Sequence, residues 1–347
     1  MSDLQLGLVL IGVLVVVGVM AYNRVQERAA QRRADAAFKS DHADALLDPG
    51  GAEPAPAVRE HAHRHPEGGE PGRAAAPPDA RLDYVVELQG DGAVAAVAVL
   101  EQWRGLARRF KDRVQIAGSS GEGRWHALGE GDNAAYARYC AGLQLVTRTG
   151  VVGEAELIEF RSEVENLAAK AGLHAASPEM KAALESAREL DAFCADRDIQ
   201  VALHVVSKAP DGIDRQAVLA LGERHGLALE ADGRFSHRDI AGRLLFHLAD
   251  RSGARLDAQG PAVLPLMALS LTMDVPRAPD TQRSFEAMAR LAGSLAGELG
   301  GVIVDDNANA LDERSLAAIE AQLAAVSAQL GERGFAPGEA LALRLFS

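Results

Sequence analysis

Residues 266–306 decide the fold: LMALSLTMDV at 266–275, an apolar repeat through Phe285, Met288, Leu291, Ala292, Leu295 and Leu299, then GGVIVDD at 300–306. In the first segment Leu269, Leu271, Met273 and Val275 alternate with Ser270, Thr272 and Asp274, the period of a half-buried strand. Pro276 and Pro279 end it, Asp280 and Thr281 supply side-chain caps, and the next apolar positions recur at helical spacing until Gly300-Gly301 stops the run. Gly301–Asp306 reads as a short apolar strand, and Asp312 caps an amphipathic helix carrying Leu316, Ile319, Leu323, Val326 and Leu330. The order is strand, helix, strand, helix.

A matching set of elements leads into this stretch. Val201–Val206 reads as a strand, Asp214 to His225 as a helix, and Leu227–Ala231 and Leu244–Ala249 as a strand pair whose connecting loop holds His237-Arg238-Asp239. The resulting β-α-β-β-β-α-β-α order predicts a largely antiparallel sheet with its helices on one face, because alternating strands bury only one side. The other face stays open. Ala202, His204, Val206, His247, Ala249, Ser270 and Thr272 are the alternate positions predicted to point there.

The same pattern occurs earlier in the chain. Tyr84–Leu88 reads as a strand, Ala93 to Phe110 as a helix, and Val114–Ile116 and Arg124–Leu128 as strands joined by a Gly118-Ser119-Ser120-Gly121 turn. Leu143-Gln144-Leu145-Val146 parallels Leu269-Ser270-Leu271-Thr272, and the helix of Phe160, Val164 and Leu167, ending at Gly172, parallels that of Phe285 and Leu291. Leu173–Ala176 takes the next strand position, and a helix opened by Ser177-Pro178 follows. The expected fold class is α+β: an internal duplication giving two split β-α-β copies, residues 82–197 and 198–347, each an antiparallel sheet covered by helices on one face. Beyond the last helix, Ala340–Phe346 alternates with Leu341, Leu343 and Leu345 on one side, which predicts a strand adding to a sheet edge near the seam between the copies.

The N-terminal part has a different character. Leu6–Tyr22 carries no charge and, with Leu4-Gln5, gives about the 20 residues needed to cross a bilayer, so residues 1–23 are expected to be a single transmembrane anchor. Arg24, Arg28, Arg32 and Arg33 follow it and outweigh the one acid ahead, which keeps this flank and all that follows in the cytoplasm and places Met1 across the membrane. Met1-Ser2-Asp3 lacks the basic opening of a cleaved signal peptide. Residues 24–81 are expected to be a basic flank that can rest on anionic lipid, then a linker rich in Pro, Gly, Ala, Glu and His. Its second part holds too little apolar surface to offset the entropy of ordering. His61, His63 and His65 in it read as solvated side chains, since no acid or cysteine is placed to complete a metal site.

The anchor with its basic flank, the linker, and Phe246-His247-Leu248-Ala249-Asp250, Met273-Asp274-Val275-Pro276, Phe285 and Glu298–Asp306 in the C-terminal copy together resemble the ZipA family. Those bacterial division proteins tether FtsZ to the inner membrane. The resemblance is best over about 200–330. It implies a single-pass inner-membrane protein with a periplasmic N-terminus and a cytoplasmic C-terminal domain, whose open sheet face binds the C-terminal tail of FtsZ through mainly hydrophobic contact. By position the family's contact residues fall on His204, near Asp232, on Ala249 and Arg251, and on Ser270 and Thr272. Asp232, Arg251 and Thr272 stand where the family has methionines and a phenylalanine, so the apolar trough is diluted here. The linker is also shorter than the family's, and the copy at 82–197 is additional.

Catalysis and nucleic-acid binding find little support. Asp305-Asp306 could pair as carboxylates or as metal ligands, but they end a strand before a turn, where Asp commonly bonds the backbone. Cys140 and Cys194 read as buried small apolar residues. No phosphate loop or dinucleotide fingerprint is present, and no cofactor or metal is implied. A formal net charge of −13 opposes phosphate backbones, and the sheet face lacks paired stacking aromatics. The expectation is a non-enzymatic, membrane-anchored division adaptor. An adaptor for another protein partner and, behind it, a membrane-bound enzyme are the alternatives.

Overall fold

The computed structural model describes residues 76–347 apart from Glu122 and 260–264. The anchor, its basic flank and the linker histidines lie outside the described residues, as does all of the linker before Ala76. Among the described residues no helix is long and apolar enough to cross a membrane.

The first sheet grows from β1 (Asp83–Ala95), whose Tyr84, Val86 and Leu88 alternate inward. After it come α1 (Ala96–Phe110), β2 (Val114–Ser119), β3 (Trp125–Ala127), β4 (Ala135–Gln144), a small hairpin of β5 (Val146–Thr147) and β6 (Gly150–Val151), α2 (Glu154–Ala171), β7 (His174–Ala176) and α3 (Met180–Ala195). The strand order is β3-β2-β4-β1-β7, with every neighbouring pair antiparallel. Val99, Trp103, Leu106 and Phe110 of α1 and Leu157, Phe160, Val164 and Leu167 of α2 close over the inward side chains. Phe160 sits edge-on to both Tyr84 and Phe110, with ring centroids 6.4 and 5.7 Å away. Gly172 ends α2 in the left-handed conformation, its N–H donating to the carbonyls of Ala168 and Ala169.

The second sheet comprises β8 (Gln200–Ser207), β9 (Ala228–Leu229), β10 (Phe235–Arg238), β11 (Leu244–Asp250), β12 (Ala268–Asp274) and β13 (Gly301–Val304). Its order is β13-β8-β12-β11-β10-β9, again antiparallel throughout. Helix α4 (Arg215–Arg224) follows β8, α5 (Thr281–Glu298) links β12 to β13, and α6 (Glu313–Glu332) follows β13. Asp214, Asp280 and Asp312 cap these three helices through their carboxylates. Leu203, Val205, Phe235, Phe246, Leu248, Leu269, Leu271 and Met273 pack with Val218 and Leu221 of α4 and with Phe285, Met288, Leu291 and Leu295 of α5. Helix α4 approaches closely because Gly222 lies under Phe235, where an added Cβ would stand 2.5 Å from the ring.

The two sheets share one run of strands and differ beside it. β7-β1-β4 and β13-β8-β12 stand in the same order, each with the edge strand following a long helix. Past β4 the first sheet continues with β2, whereas past β12 the second continues with β11, β10 and β9.

Three local expectations need correction. Residues 340–346 are not a strand: Ala340–Leu345 forms a helix, α7. Ala, Leu and Arg are strong helix formers, and in a helix Ala342, Leu345 and Phe346, the apolar residues buried here, fall at i, i+3 and i+4. His237 and Arg238 are not in a loop but in β10, a short strand whose single large apolar residue, Phe235, gave too weak an alternation to read. Of the strand read as Leu143–Val146, only Leu143 and Gln144 belong to β4, which begins at Ala135, while Val146 opens β5. A register shift where β1 passes Gln89 to Val94 sets Tyr136 and Tyr139 three apart, and this hides the period of two.

Helix α7 packs into the core beneath the first sheet. Leu330, Phe335, Ala342, Leu345 and Phe346 complete the core of the first sheet rather than the second. Arg344, 5 % exposed, donates to both carboxylate oxygens of Asp83, 4 % exposed, at 3.1 and 2.5 Å. At the tip of the β5–β6 hairpin, Arg148 bonds both Asp198 and Asp274 and lies over the Phe346 ring.

Candidate partner-binding face

The helices cover one side of the second sheet, so side chains of opposite parity form a second face away from them, on which His204, Ser236, Ala268 and Val304 are buried and the others half-buried. Strand register aligns them in rows. Ser236, His247, Thr272 and Ala202 form the first row; Ala249, Ser270, His204 and Val304 the second; Ala268, Val206 and Val302 the third. All seven strand positions expected on this face are there: Ala202, His204 and Val206 of β8, His247 and Ala249 of β11, Ser270 and Thr272 of β12. These side chains are Ala, Val, Ser, Thr and His, so the floor they make carries no large aliphatic side chain.

Two polar rims bound the floor. Along the β13 side, His204 Nε2 lies 2.9 Å from Asp306 Oδ1, whose carboxylate accepts. Arg251, in the turn after β11, donates from Nη2 to the carbonyl oxygen of Asp306 at 3.2 Å. That bond spans the width of β12 and β8, which separate β11 from β13. The loop holding Asp306 is fixed by Asp305, whose carboxylate accepts from the N–H of Asn307 and Asn309 and from Asn309 Nδ2. The Asn309 amide is the main reason the Asp305 carboxyl titrates below its ordinary value. Asp305 thus bonds the backbone as expected, while Asp306 reaches onto the face.

Along the β9–β10 side, Ser236 Oγ donates to Glu230 Oε1 at 2.5 Å and Arg238 donates to the same oxygen at 3.3 Å, and these bonds, the serine's first, lower the Glu230 pKa. Asp232 lies in the β9–β10 turn, paired to Arg234. Burial opposes ionisation of Asp232, but the Arg234 bonds outweigh it and hold its pKa down. His247, between the rims, is kept below the ordinary histidine range by burial and next by the charge of Arg234. The sequence reading missed Glu230, Ser236, Val302, Val304 and Asp306. The last was legible in principle, since pairing Val304 with His204 brings the residues after β13 onto the open side.

Among the described residues no group of three or more His, Cys, Asp or Glu is placed to hold a metal. Cys140 and Cys194 are buried free thiols, each pushed up to about 12 by burial. What this face can do chemically is cover an apolar surface by contact and meet polar groups at its two rims.

No curated protein matches the chain. Residues 199–322 match the family model described as ZipA, C-terminal FtsZ-binding domain, a span running from the start of β8 into α6 and containing every residue of the open face. It is this part of the chain, from β8 into α6, that is similar to the ZipA C-terminal FtsZ-binding domain family.

Proposed function

We propose that this protein is a cell-division adaptor that binds FtsZ through its second sheet and holds it at the inner membrane. The observation that carries the reading is the match of residues 199–322 to an FtsZ-binding family over the stretch that leaves one sheet face free of helices. The C-terminal tail of FtsZ lies across that face, its apolar side chains on Ala202, Val206, Ala249, Ser270 and Thr272, with His204, His247, Asp232 and Arg251 at or near its polar margins. Because the floor carries small and polar side chains, this contact is weaker than a trough of large apolar residues would give. Residues 1–23 form the anchor, N-terminus periplasmic, and residues 24–81 the basic flank and tether. Residues 82–197 and 198–347 are copies of one ancestral unit.

A pull-down with purified FtsZ, with and without its C-terminal tail, tests the reading. Capture should require the tail and should be lost in Ala249→Asp. Capture of tail-less FtsZ would refute the tail site, and no capture of either form would point to a different protein partner. A reporter active only outside the cytoplasm, fused at Ser347, should stay silent. Signal from it would overturn the membrane topology.

A further inference from the structure

Burial across the open face of the second sheet is uneven, and its pattern follows one contact. Most of the floor is half-buried, but His204, Ala268 and Val304 expose only 4, 9 and 5 % of their surface. All three lie in the corner of the face where Arg251 reaches Asp306.

The strand register fixes the path of that contact. Asp250 pairs with Leu269, so Arg251 comes next to Ala268, and its N–H donates to the Ala268 carbonyl. Ala249 points to the open face and Asp250 away from it, so alternation brings the Arg251 side chain back to the open side. At the other end, Asp306 bonds His204 Nε2, a side chain of the same face, which folds the loop after β13 inward over β8. To donate to the Asp306 carbonyl at 3.2 Å, the arginine therefore crosses β12 between Ala268 and Ser270. Both are small enough to let it pass close to the sheet. The Asp306 end is held by the Asp305 turn, with its bonds from Asn307 and Asn309. The Arg251 end is a long, exposed side chain, and it is the part that can move.

We propose that Arg251 is a strap across one corner of the open face, which a chain seated on the floor must lift. The identity of that chain rests on the FtsZ reading; the strap itself does not. While shut, it lies beside Ser270 and His204 and leaves the row of Ser236, His247, Thr272 and Ala202 for first contact. A tail captured on that row gains the rest of the floor only when the bond to the Asp306 carbonyl opens. Arg251 thus works against binding, because the apparent affinity is reduced by the fraction of molecules in which the corner is shut.

The experiment uses the full chain and two readouts. In the first, Ser270→Cys places a thiol under the strap, and its maleimide labelling is followed by mass spectrometry separately from the buried Cys140 and Cys194. Adding Arg251→Ala should speed labelling at position 270 by about fivefold or more and leave the two native cysteines unchanged. In the second, a peptide of the FtsZ C-terminal tail is titrated onto the chain without the reporter. Arg251→Ala should bind it about tenfold tighter than the unaltered protein, the gain from removing a closed state favoured about ten to one. Asp306→Ala, which frees the other end from His204, should move both readouts in the same direction. Unchanged labelling at position 270 overturns the strap. Faster labelling with the tail bound no tighter overturns its role as a barrier. Faster labelling with no tail bound by any variant supports the strap and refutes the FtsZ site instead.

Discussion

Arg344→Met tests the closure of the first core most sharply. The substitution keeps the length and apolar stem of the side chain but removes a guanidinium that donates twice to Asp83, both residues being about 95 % buried. Asp83 keeps one other donor, the Asp79 N–H at 2.7 Å, so its carboxylate is left buried with one bond and no counter-charge. Breaking a buried pair in this way costs about 3–5 kcal/mol. Burial already raises the Asp83 pKa against the pull of Arg344, so without the arginine it rises further. A carboxyl whose folded pKa lies above its unfolded value contributes stability below the unfolded pKa and loses it as pH rises through the folded one. The deficit of the variant should therefore shrink in acid and be full at neutral pH. The assay is urea denaturation followed by tryptophan emission, because Trp103 and Trp125, the two tryptophans of the chain, both lie in the first half. Asp83→Leu added to Arg344→Met should recover most of the loss, since an apolar pair replaces an orphaned charge. A loss under about 1 kcal/mol, or a double variant no more stable than the single one, would refute the view that this pair closes the first core.

Other substitutions probe the second half. Leu271→Asp, at a site with no exposed surface, should unfold the second sheet, whereas Thr272→Asp on the opposite side should leave the melting temperature nearly unchanged and abolish capture of FtsZ. Gly222→Ala should destabilise by about 1–3 kcal/mol in chemical denaturation, because the new methyl meets the Phe235 ring. His237 and His247 are both held below the ordinary histidine range, chiefly by burial. With folded values depressed, the unfolded chain takes protons first, so stability should be full above about pH 6.5 and fall as pH drops below it. His247→Gln should flatten part of that fall in melting temperatures measured from pH 7.5 to 5.

The sequence was most legible where one periodicity ran unbroken and a cap closed it. Leu269 to Met273, the stripe from Phe285 to Leu295 and the Asp312 cap could each be read because local pattern and tertiary burial agree there. β4 was read only at its end because the irregularity in β1 shifts the phase of its inward residues. α7 was misread because Leu341, Leu343 and Leu345 satisfy a period of two, while the residues that pack satisfy the helical spacing. The choice is made by the first core, far away in sequence. The floor of the open face followed from alternation alone. Its rims did not, because Asp306 reaches His204 and Glu230 reaches Ser236 only once the sheet order is known.

Residues 330–346 finish a core begun at Leu82, and this bears on how the protein is made. A ribosome that has released residues 82–197 has released both tryptophans and every strand of the first sheet, but not Phe335, Leu345, Phe346 or the arginine that neutralises Asp83. At roughly 5–20 residues per second those arrive on the order of ten seconds later, after the whole second sheet. During that interval the second half, whose own core is complete by Leu323, has every contact it needs, while the half made before it waits with an apolar gap and an uncompensated acid. Synthesis and folding thus run in opposite order along this chain, and a nascent chain stalled near residue 330 should expose its first half, not its second, to chaperones and proteases.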